Sequence, residues 1–308
     1  MKSIWRRFEH ENDYWRIRQF LRRVYLGNGR RELSWQTYRF DYWRWHGVAN
    51  LDQGVLERDL FLWETAAGQV AAVLNPEAPG QVFLQIDPDL CPLEQEDEML
   101  TIAERYLSVE TDAGRRQMTV WAATNDRGLV ARLRARGYER GRWTELRRRR
   151  LLETRLLSPR LAPGYTVRAL GDESELPARS WLSWRAFHPD APDEEYEGWE
   201  WYRNIQRAPL YRRDLDLVAV ASGGELAAFC TIWFDDVTRT GALEPVGTAP
   251  EHRRRGVGKA LLVEGLRRLR WLGATLATVG SYEEPAHTLY EAVGFIEYDA
   301  AESWTKVW

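Results

Sequence analysis

The sequence contains little cysteine and no long apolar run. Only two cysteines, Cys91 and Cys230, occur among its 308 residues, and they are far apart. We therefore expect neither a disulfide framework nor a thiolate metal site. No run of about 18 apolar residues is present, which argues against a membrane-spanning helix. Residues 1–12 are charged and lack the apolar core of a signal peptide. These absences predict a cytoplasmic protein that binds no metal and no membrane.

The chain also lacks a strong excess of either charge. Its 43 Lys and Arg residues nearly balance 46 Asp and Glu residues, which leaves a net charge of −3. This balance gives no general reason to expect a polyanion as partner. Runs of arginine keep a nucleic-acid binder open as an alternative, and its affinity would fall steeply with salt. We expect no nucleic-acid partner.

The two halves of the chain show the same order of predicted elements. A strand hairpin is followed by an extended run, an amphipathic helix (98–107 or 256–272), a strand, a helix and a Gly-aromatic pair. This repeat predicts two α/β domains, residues 1–151 and 164–308, with a linker at 152–163 where prolines break regular structure. The run Arg147 to Arg150 is expected at a solvated strand end or in the linker, without chemistry.

The most informative motif is the stretch from Arg253 to Gly258, which precedes an apolar helix. Glycine lets the backbone approach a ligand closely, and a helix N-terminus offers unpaired N–H groups and a positive dipole end. The motif therefore predicts a site for an anion such as a pyrophosphate. Gly256 and Gly258 lack the third glycine of a dinucleotide fingerprint, and Ala260 follows Lys259, which excludes a P-loop.

Through this loop and its place between a strand and a helix, the stretch from Tyr165 to Trp308 resembles the GNAT acetyltransferase superfamily. The resemblance implies an α/β fold of two tandem GNAT-like domains, each a mostly antiparallel central sheet flanked by helices. It also implies acetyl-CoA as co-substrate, held where two strands splay apart. The residues that it assigns to acetyl-CoA are Val246, Gly247 and Thr248 for the pantetheine arm, and Arg253, Arg254, Arg255, Gly256, Val257, Gly258 and Lys259 around the pyrophosphate.

Two residues are candidates for proton transfer. Tyr290 stands four residues before the Gly294-Phe295 pair, where many members of the family keep a general acid. A phenol, with a pKa of about 10, and a thiol, with a pKa of about 8.5, are close enough for proton transfer to departing CoA. A tyrosine packed in the core is the alternative for Tyr290.

Glu244 lies on the strand that would face the thioester, and Pro245 after it predicts a bulge or local splay. A carboxylate there is a candidate general base, and a solvated edge-strand glutamate is the alternative. Glu283 stands where many family members have asparagine. We transfer no role to it, because glutamate caps helices poorly.

The segment between residues 180 and 213 is rich in aromatic and acidic residues. This mixture suits a cationic amine, through ion pairing and cation–π contact. An ordinary amphipathic helix pair is the alternative. The candidate acceptor-binding residues are Trp184, His188, Tyr196 and Trp199.

The first half reads as a degenerate copy. Residues 87–98 contain no glycine where the second half has its loop, and their carboxylates would repel a pyrophosphate. Leu133 stands at the position of Tyr290 and has no proton to give. The aromatic run from Trp35 to Trp45 would wall the acceptor pocket or form core.

These observations together predict the function of the chain. We expect an N-acetyltransferase, a monomer or homodimer, that acetylates a primary amine of a small molecule or peptide by direct attack in a ternary complex. An acyl-CoA sensor without turnover is the alternative.

Overall fold

The structure, a computed structural model, describes residues 3–158 and 161–308. The chain divides into two compact units. Unit 1 comprises Met1–Leu146 and Asp299–Trp308, and unit 2 comprises Arg147–Tyr298. Each unit contains a mostly antiparallel sheet flanked by helices, so the predicted α/β fold class is confirmed.

Unit 1 is built on a sheet with the strand order β1-β2-β3-β4-β6-β13-β7, and β5 pairs with β6. The one parallel pair described in this unit is β4 with β6. The strands are β1 (Ile4–Arg7), β2 (Phe61–Glu64), β3 (Val70–Ala78), β4 (Gln81–Ile86), β5 (Val109–Glu110), β6 (Arg116–Ala123), the first part of β7 (Glu139–Leu151) and most of β13 (Ile296–Val307). The helices are α1 (Glu11–Gly27), α2 (Thr37–Tyr42), a π-helical segment (Trp43–Val48), α3 (Ala49–Leu51), α4 (Leu56–Asp59), α5 (Leu93–Tyr106) and α6 (Arg127–Ala135).

Unit 2 has the strand order β7-β12-β11-β10-β9-β8, in which residues 147–151 of β7 take part. Strands β11 and β12 pair in parallel. The strands are β8 (Tyr165–Ala169), β9 (Asp216–Ala221), β10 (Leu226–Asp235), β11 (Thr240–Thr248) and β12 (Leu276–Ser281). The helices are α7 (Leu176–Phe187), α8 (Tyr202–Ile205), α9 (Val257–Trp271) and α10 (Glu284–Glu291), with 3-10 turns at Glu173–Glu175, Asp193–Glu195, Arg213–Leu215 and Pro250–His252.

The internal repeat includes equivalent backbone hydrogen bonds in the two units. After the third strand of the repeat, the Asp87 N–H donates to the Ala71 carbonyl oxygen, and the Ala249 N–H donates to that of Ala227. At the Gly-aromatic pairs, Tyr138 N–H donates to Leu133 and Phe295 N–H to Tyr290 in the same way. The glycine before each aromatic residue has a positive φ, 82° at Gly137 and 87° at Gly294.

The boundaries of the units differ from the predicted division at 151 and 164. The last ten residues belong to unit 1, because β13 pairs with β6 from Ala301 opposite Ala123 to Val307 opposite Gln117. The predicted linker also begins inside unit 2, where Leu152 is buried in the core. Pro159, one of the residues expected to break structure there, lies outside the described residues.

The arginine run corrects a second expectation. It was predicted to be solvated, but it lies in β7, and Arg147, Arg148 and Arg150 are buried. A strand alternates its side chains between two faces, so a run of like residues does not by itself show that a segment is solvated.

The amphipathic helix of unit 2 is confirmed as α9. Its apolar residues Val257, Leu261, Leu262, Leu266 and Leu269 lie in the buried core of this unit. The corresponding helix of unit 1, α5, begins at Leu93 rather than at residue 98. Glu94 and Glu96 lie in its first turn, where carboxylates interact favourably with the helix dipole. Across the described residues, no helix is both long and apolar enough to cross a membrane.

Candidate functional site

Strands β11 and β12 of unit 2 separate after a short parallel pairing. The described pairing runs from Thr240 opposite Leu276 to Ala242 opposite Thr278. Beyond this point β11 continues to Thr248 and β12 to Ser281 without further described pairing. Residues 244–248 are only half-buried, whereas 240–243 are buried. We call residues 243–248 the open edge of β11.

A β-bulge lies at the start of the open edge. Cys230 is opposite Val246 and Ile232 is opposite Leu243, so Glu244 and Pro245 together face a single residue of β10. The bulge expected from Pro245 is therefore confirmed. The peptide bond between Glu244 and Pro245 is cis. The indole Nε1 of Trp233 donates to the Glu244 carbonyl oxygen at 2.5 Å, which fixes the bulge from the neighbouring strand.

Backbone polar groups of the open edge face away from β10. Because the Ala249 N–H bonds to Ala227 on β10, alternation along the strand turns the N–H and C=O groups of Thr248 and Val246 to the other side. Gly247 has no room for a side chain, since a Cβ there would lie 2.5 Å from the Phe229 ring and 2.9 Å from Ala186. Two of the predicted pantetheine residues thus present their backbone to the gap.

The glycine loop ends in an amide cradle, the N–H groups of residues 256–259. Gly256 is the N-cap of α9 with φ 74°, and no atom lies within 4 Å of the position of a Cβ. None of the four N–H groups donates to another described residue, as expected for a first helical turn. Arg254 also has a positive φ of 62°, a conformation that costs a non-glycine residue energy and is often kept at functional sites.

The Arg253 side chain braces the loop. Its Nε donates to the Thr248 carbonyl oxygen at 3.2 Å, and its Nη2 donates to the Ala186 carbonyl oxygen at 2.9 Å. Arg255 donates to the Tyr165 hydroxyl at 3.2 Å. The side chains of Arg254 and Lys259 are exposed at the start of α9, so they add positive potential where the cradle opens.

These features fit acetyl-CoA. The cradle and the exposed cations suit a pyrophosphate, and the open edge suits the amide groups of a pantetheine arm. Gly258 keeps the start of α9 close to the edge, since a Cβ there would lie 3.2 Å from the Thr248 hydroxyl and 3.7 Å from Leu289. Within the described part of the chain, no cluster of three or more His, Cys, Asp or Glu side chains could hold a metal ion.

Tyr290, on α10, is buried with 6% of its surface exposed. Burial raises the pKa of its phenol well above the ordinary value, and the nearby Cys230 and Glu244 raise it further, while the positive charge of Arg148 lowers it. The Tyr290 hydroxyl makes no hydrogen bond to another described residue. Glu283, the N-cap of α10, makes no side-chain capping bond.

The predicted acceptor residues do not all lie together. Trp184 stacks on His188 with ring centres 5.6 Å apart and contacts Tyr196 at 5.9 Å, and Trp181 completes this aromatic cluster. Trp199 contacts Arg203 instead, at 4.5 Å from the guanidinium carbon to the ring centre. His188 is exposed and Trp184 and Tyr196 are half-buried, so part of the cluster is accessible.

In unit 1, the end of β4 that corresponds to the open edge of β11 is hydrogen-bonded to other residues of the same unit. The described parallel pairing of β4 with β6 ends at Phe83 opposite Trp121. Beyond it, the Ser34 hydroxyl accepts from the Ile86 N–H at 3.0 Å and donates to the Ile86 carbonyl oxygen at 3.4 Å. The Gln85 side chain accepts from the Trp35 N–H at 2.7 Å. The strand edge that would meet a pantetheine arm is therefore occupied.

The other marks of a degenerate copy are also present in unit 1. Leu133 is fully buried in the core. Glu96 in the first turn of α5 forms an ion pair with Arg132 at 2.8 Å. A carboxylate therefore lies at the start of the helix that corresponds to α9, where unit 2 has its amide cradle. Trp35, Tyr38 and Trp43 of the aromatic run are buried, which supports the core alternative for these three residues.

A sequence model of the Acetyltransferase (GNAT) family matches residues 176–295, from the start of α7 to the Gly294-Phe295 pair. The chain belongs to the GNAT acetyltransferase family. It is 31% identical over 203 residues to a mycothiol acetyltransferase from Thermobispora bispora, a match that covers 63% of this chain and 67% of that protein. It is 32% identical over 165 residues to one from Kineococcus radiotolerans, over 52% of each chain. The match thus spans about half the length of the latter relative.

Solved structures show the same tandem fold. A tandem GNAT protein from the clavulanic acid biosynthesis pathway gives a TM-score of 0.71 over 99% of this chain and 98% of that one, at 15% identity. A GCN5-related N-acetyltransferase from Sphaerobacter thermophilus gives 0.69 over 99% and 95%, also at 15% identity. At this identity the likeness concerns the fold alone.

Several residues of the site had no signal in the sequence. Arg148, Ser281, Cys230 and Trp233 reach it through strand pairing, and no local motif marks them. Arg179 and Asp216 form a buried ion pair in the same unit, which tyrosine hydroxyls complete.

Proposed function

We propose that unit 2 is an acetyl-CoA-dependent N-acetyltransferase that acetylates a primary amine of a small molecule or peptide in a ternary complex. The observation that carries the proposal is the joint presence of the amide cradle, the open edge of β11 and the Tyr290 hydroxyl in one unit. Family membership supports acetyl transfer in general. The few, separated cysteines suit a cytoplasmic enzyme. We further propose that the enzyme acts as a monomer or homodimer.

When bound, acetyl-CoA supplies a thioester carbonyl that an amine can attack. Glu244 accepts the proton that the amine nitrogen loses as the C–N bond forms. Tyr290 donates its proton to the sulfur as the C–S bond breaks, and its raised pKa keeps it protonated at neutral pH. Exchange with solvent returns the proton from Glu244 and restores Tyr290. The Trp233 bond to the Glu244 carbonyl oxygen holds this part of the strand in place.

The aromatic cluster beside α7 supplies a surface for a cationic acceptor. Trp184, His188 and Tyr196 provide ring faces, and the exposed acids from Asp193 to Glu195 are close in sequence. Aromatic faces and carboxylates attract an ammonium group. Trp199 contacts Arg203 rather than this cluster, so we do not assign it to the acceptor surface. The names of the two relatives make the acceptor of mycothiol acetyltransferases one compound to screen.

Calorimetric titration with acetyl-CoA tests the site. We expect one molecule bound per chain, because unit 1 lacks a cradle and its strand edge is occupied. Gly258→Leu should abolish binding, since even a Cβ would press against Thr248. Gly27→Leu is the matched control, because nothing lies within 4 Å of a Cβ at that position.

Two sites per chain, or none, would contradict the proposal. Equal binding by wild type and Gly258→Leu would contradict the placement of the cradle. An acceptor screen that detects free CoA thiol then separates the enzyme from the alternative of a sensor, which would bind acetyl-CoA and release no thiol with any amine.

A further inference from the structure

One buried arginine of unit 2 lies outside the motifs that predicted the site. We propose that Arg148 is an electrostatic residue of the acetyl-transfer site, whose guanidinium stabilises the negative charge that develops on the CoA sulfur as it leaves. Arg148 lies in the part of β7 that belongs to unit 2. The proposal rests on the proposed function, because it assigns a residue to the same site.

The charge of Arg148 is buried but poorly compensated. Its side chain is 3% exposed, and its one ion pair among the described residues is with Glu291 at 3.3 Å. Glu291 is itself 62% exposed, so water screens its charge. The Arg148 Nη1 donates to the neutral Ser281 hydroxyl at 3.3 Å, and its buried Nε has no hydrogen-bond partner in the described part of the chain. Burying a charge in this way costs free energy, which an anionic guest would recover.

Arg179, a fully buried arginine on α7, shows what compensation looks like. Arg179 pairs with the fully buried carboxylate of Asp216 at 3.3 Å and donates to the Thr231 hydroxyl at 3.1 Å. Tyr202 and Tyr211 donate to the same carboxylate at 2.5 and 2.9 Å. Arg179 also has a buried Nη1 with no hydrogen-bond partner among the described residues, so the difference lies in the charged partner. The charge of Arg179 is matched by a buried carboxylate, whereas that of Arg148 faces an exposed glutamate and a hydroxyl.

The two partners of Arg148 place it beside the reacting groups. Ser281 is the last residue of β12, beyond the point where β12 separates from β11. Glu291 follows Tyr290 on α10. The groups that affect the pKa of Tyr290 include the Cys230 thiol on β10, the Glu244 carboxylate on β11 and the Arg148 guanidinium on β7, and Arg148 is the cation among these three. A cation in a buried site favours the thiolate over the thiol and makes Tyr290 a better acid.

The thiol pKa of bound CoA tests this role without turnover. It is followed by the ultraviolet absorbance of the thiolate over a pH titration of the protein with saturating CoA. We expect wild type to lower the thiol pKa of CoA below its value in free solution. Arg148→Met should raise the bound value by about one unit, a tenfold change in proton affinity, and Arg148→Lys should retain most of the wild-type shift.

Two further variants keep the test independent of folding. Glu291→Gln removes the exposed partner and should lower the bound thiol pKa further, which is the opposite sign to Arg148→Met. Arg150→Met is the matched control, since Arg150 is also buried on β7 and its buried Nε has no partner among the described residues, but it is not one of the groups that shift the pKa of Tyr290. It should leave the thiol pKa unchanged. Equal thiol pKa values in wild type, Arg148→Met and Glu291→Gln would overturn the proposal.

Binding of desulfo-CoA, which lacks the sulfur, separates the two possible failures. Wild type and the four variants should bind it with equal affinity, because the cradle and the open edge remain. If wild type does not bind desulfo-CoA, the proposed function fails. If wild type binds it but does not shift the thiol pKa of CoA, the role of Arg148 fails and the proposed function stands.

Discussion

A buried phenol such as that of Tyr290 holds its proton firmly, because the phenolate would lose the solvation of water. Its high pKa keeps the phenol protonated at neutral pH but also makes it a weaker acid, so proton transfer depends on the negative charge that develops on the sulfur and on the nearby positive charge of Arg148. The resemblance to the GNAT family indicated Tyr290, through its spacing from the Gly294-Phe295 pair. It could not indicate Arg148 or Trp233, because these side chains meet the site through strand pairing rather than through spacing along the chain.

Tyr290→Phe removes the proposed acid with little change of shape. We expect turnover to fall by about a hundredfold or more, as for loss of general acid catalysis. Calorimetry should show unchanged acetyl-CoA affinity, because the cradle does not use the hydroxyl. Tyr138→Phe is the matched control, since Tyr138 is the buried tyrosine of the Gly-aromatic pair in unit 1. Unchanged turnover of Tyr290→Phe would remove this residue from the mechanism.

At the scale of elements, local chemistry predicted the features that one residue can impose. Pro245 cannot donate to a strand ladder, so the bulge beside Glu244 followed from sequence alone. The helix after the glycine loop followed from its apolar periodicity. The burial of the arginine run did not, because it depends on which strands β7 meets. The same limit applies to Ser34, whose bonds to Ile86 join residues that are remote in sequence.

The packing of α9 on its sheet gives a prediction of its own. Alanine is better than glycine in a helix by about 1 kcal/mol, yet a Cβ at Gly265 would lie 2.5 Å from the Ile232 Cδ1. We expect the cost of this clash to exceed the gain in helix propensity. Gly265→Ala should therefore lower the free energy of unfolding by about 1–3 kcal/mol. Ile232→Val removes that methyl group and should relieve most of the loss in the double variant. Urea unfolding measures all three, and strictly additive effects would contradict the contact.

At the scale of the whole molecule, the repeat was visible in the sequence. That the last strand, β13, joins the sheet of unit 1 was not visible. Each half of the chain ends in a strand-like segment, so a division near the middle was the simplest interpretation. Which sheet a terminal strand joins depends on long-range pairing, and β13 pairs with β6 of unit 1. Unit 2 is therefore a continuous stretch of chain, and unit 1 is made from both ends.

This topology predicts different behaviour for two fragments. Residues 147–298 keep the cradle, the open edge and Tyr290, so this fragment should unfold cooperatively and bind acetyl-CoA. Residues 1–146 lack β13, which leaves one edge of β6 unpaired and removes the Trp304 side chain, 3% exposed, from the core. Loss of a buried tryptophan alone costs about 3–5 kcal/mol, a large part of the stability of a domain. This fragment should show no cooperative thermal transition.

A synthetic peptide of residues 299–308 provides the control for the second fragment. If the missing strand is the cause, the peptide should restore a cooperative transition to residues 1–146 at a midpoint that rises with peptide concentration, as mass action requires. The same peptide with Trp304→Ala should restore much less, because it supplies the backbone bonds to β6 without the core side chain. A cooperative transition of residues 1–146 alone, unaffected by either peptide, would show that β13 is dispensable for unit 1.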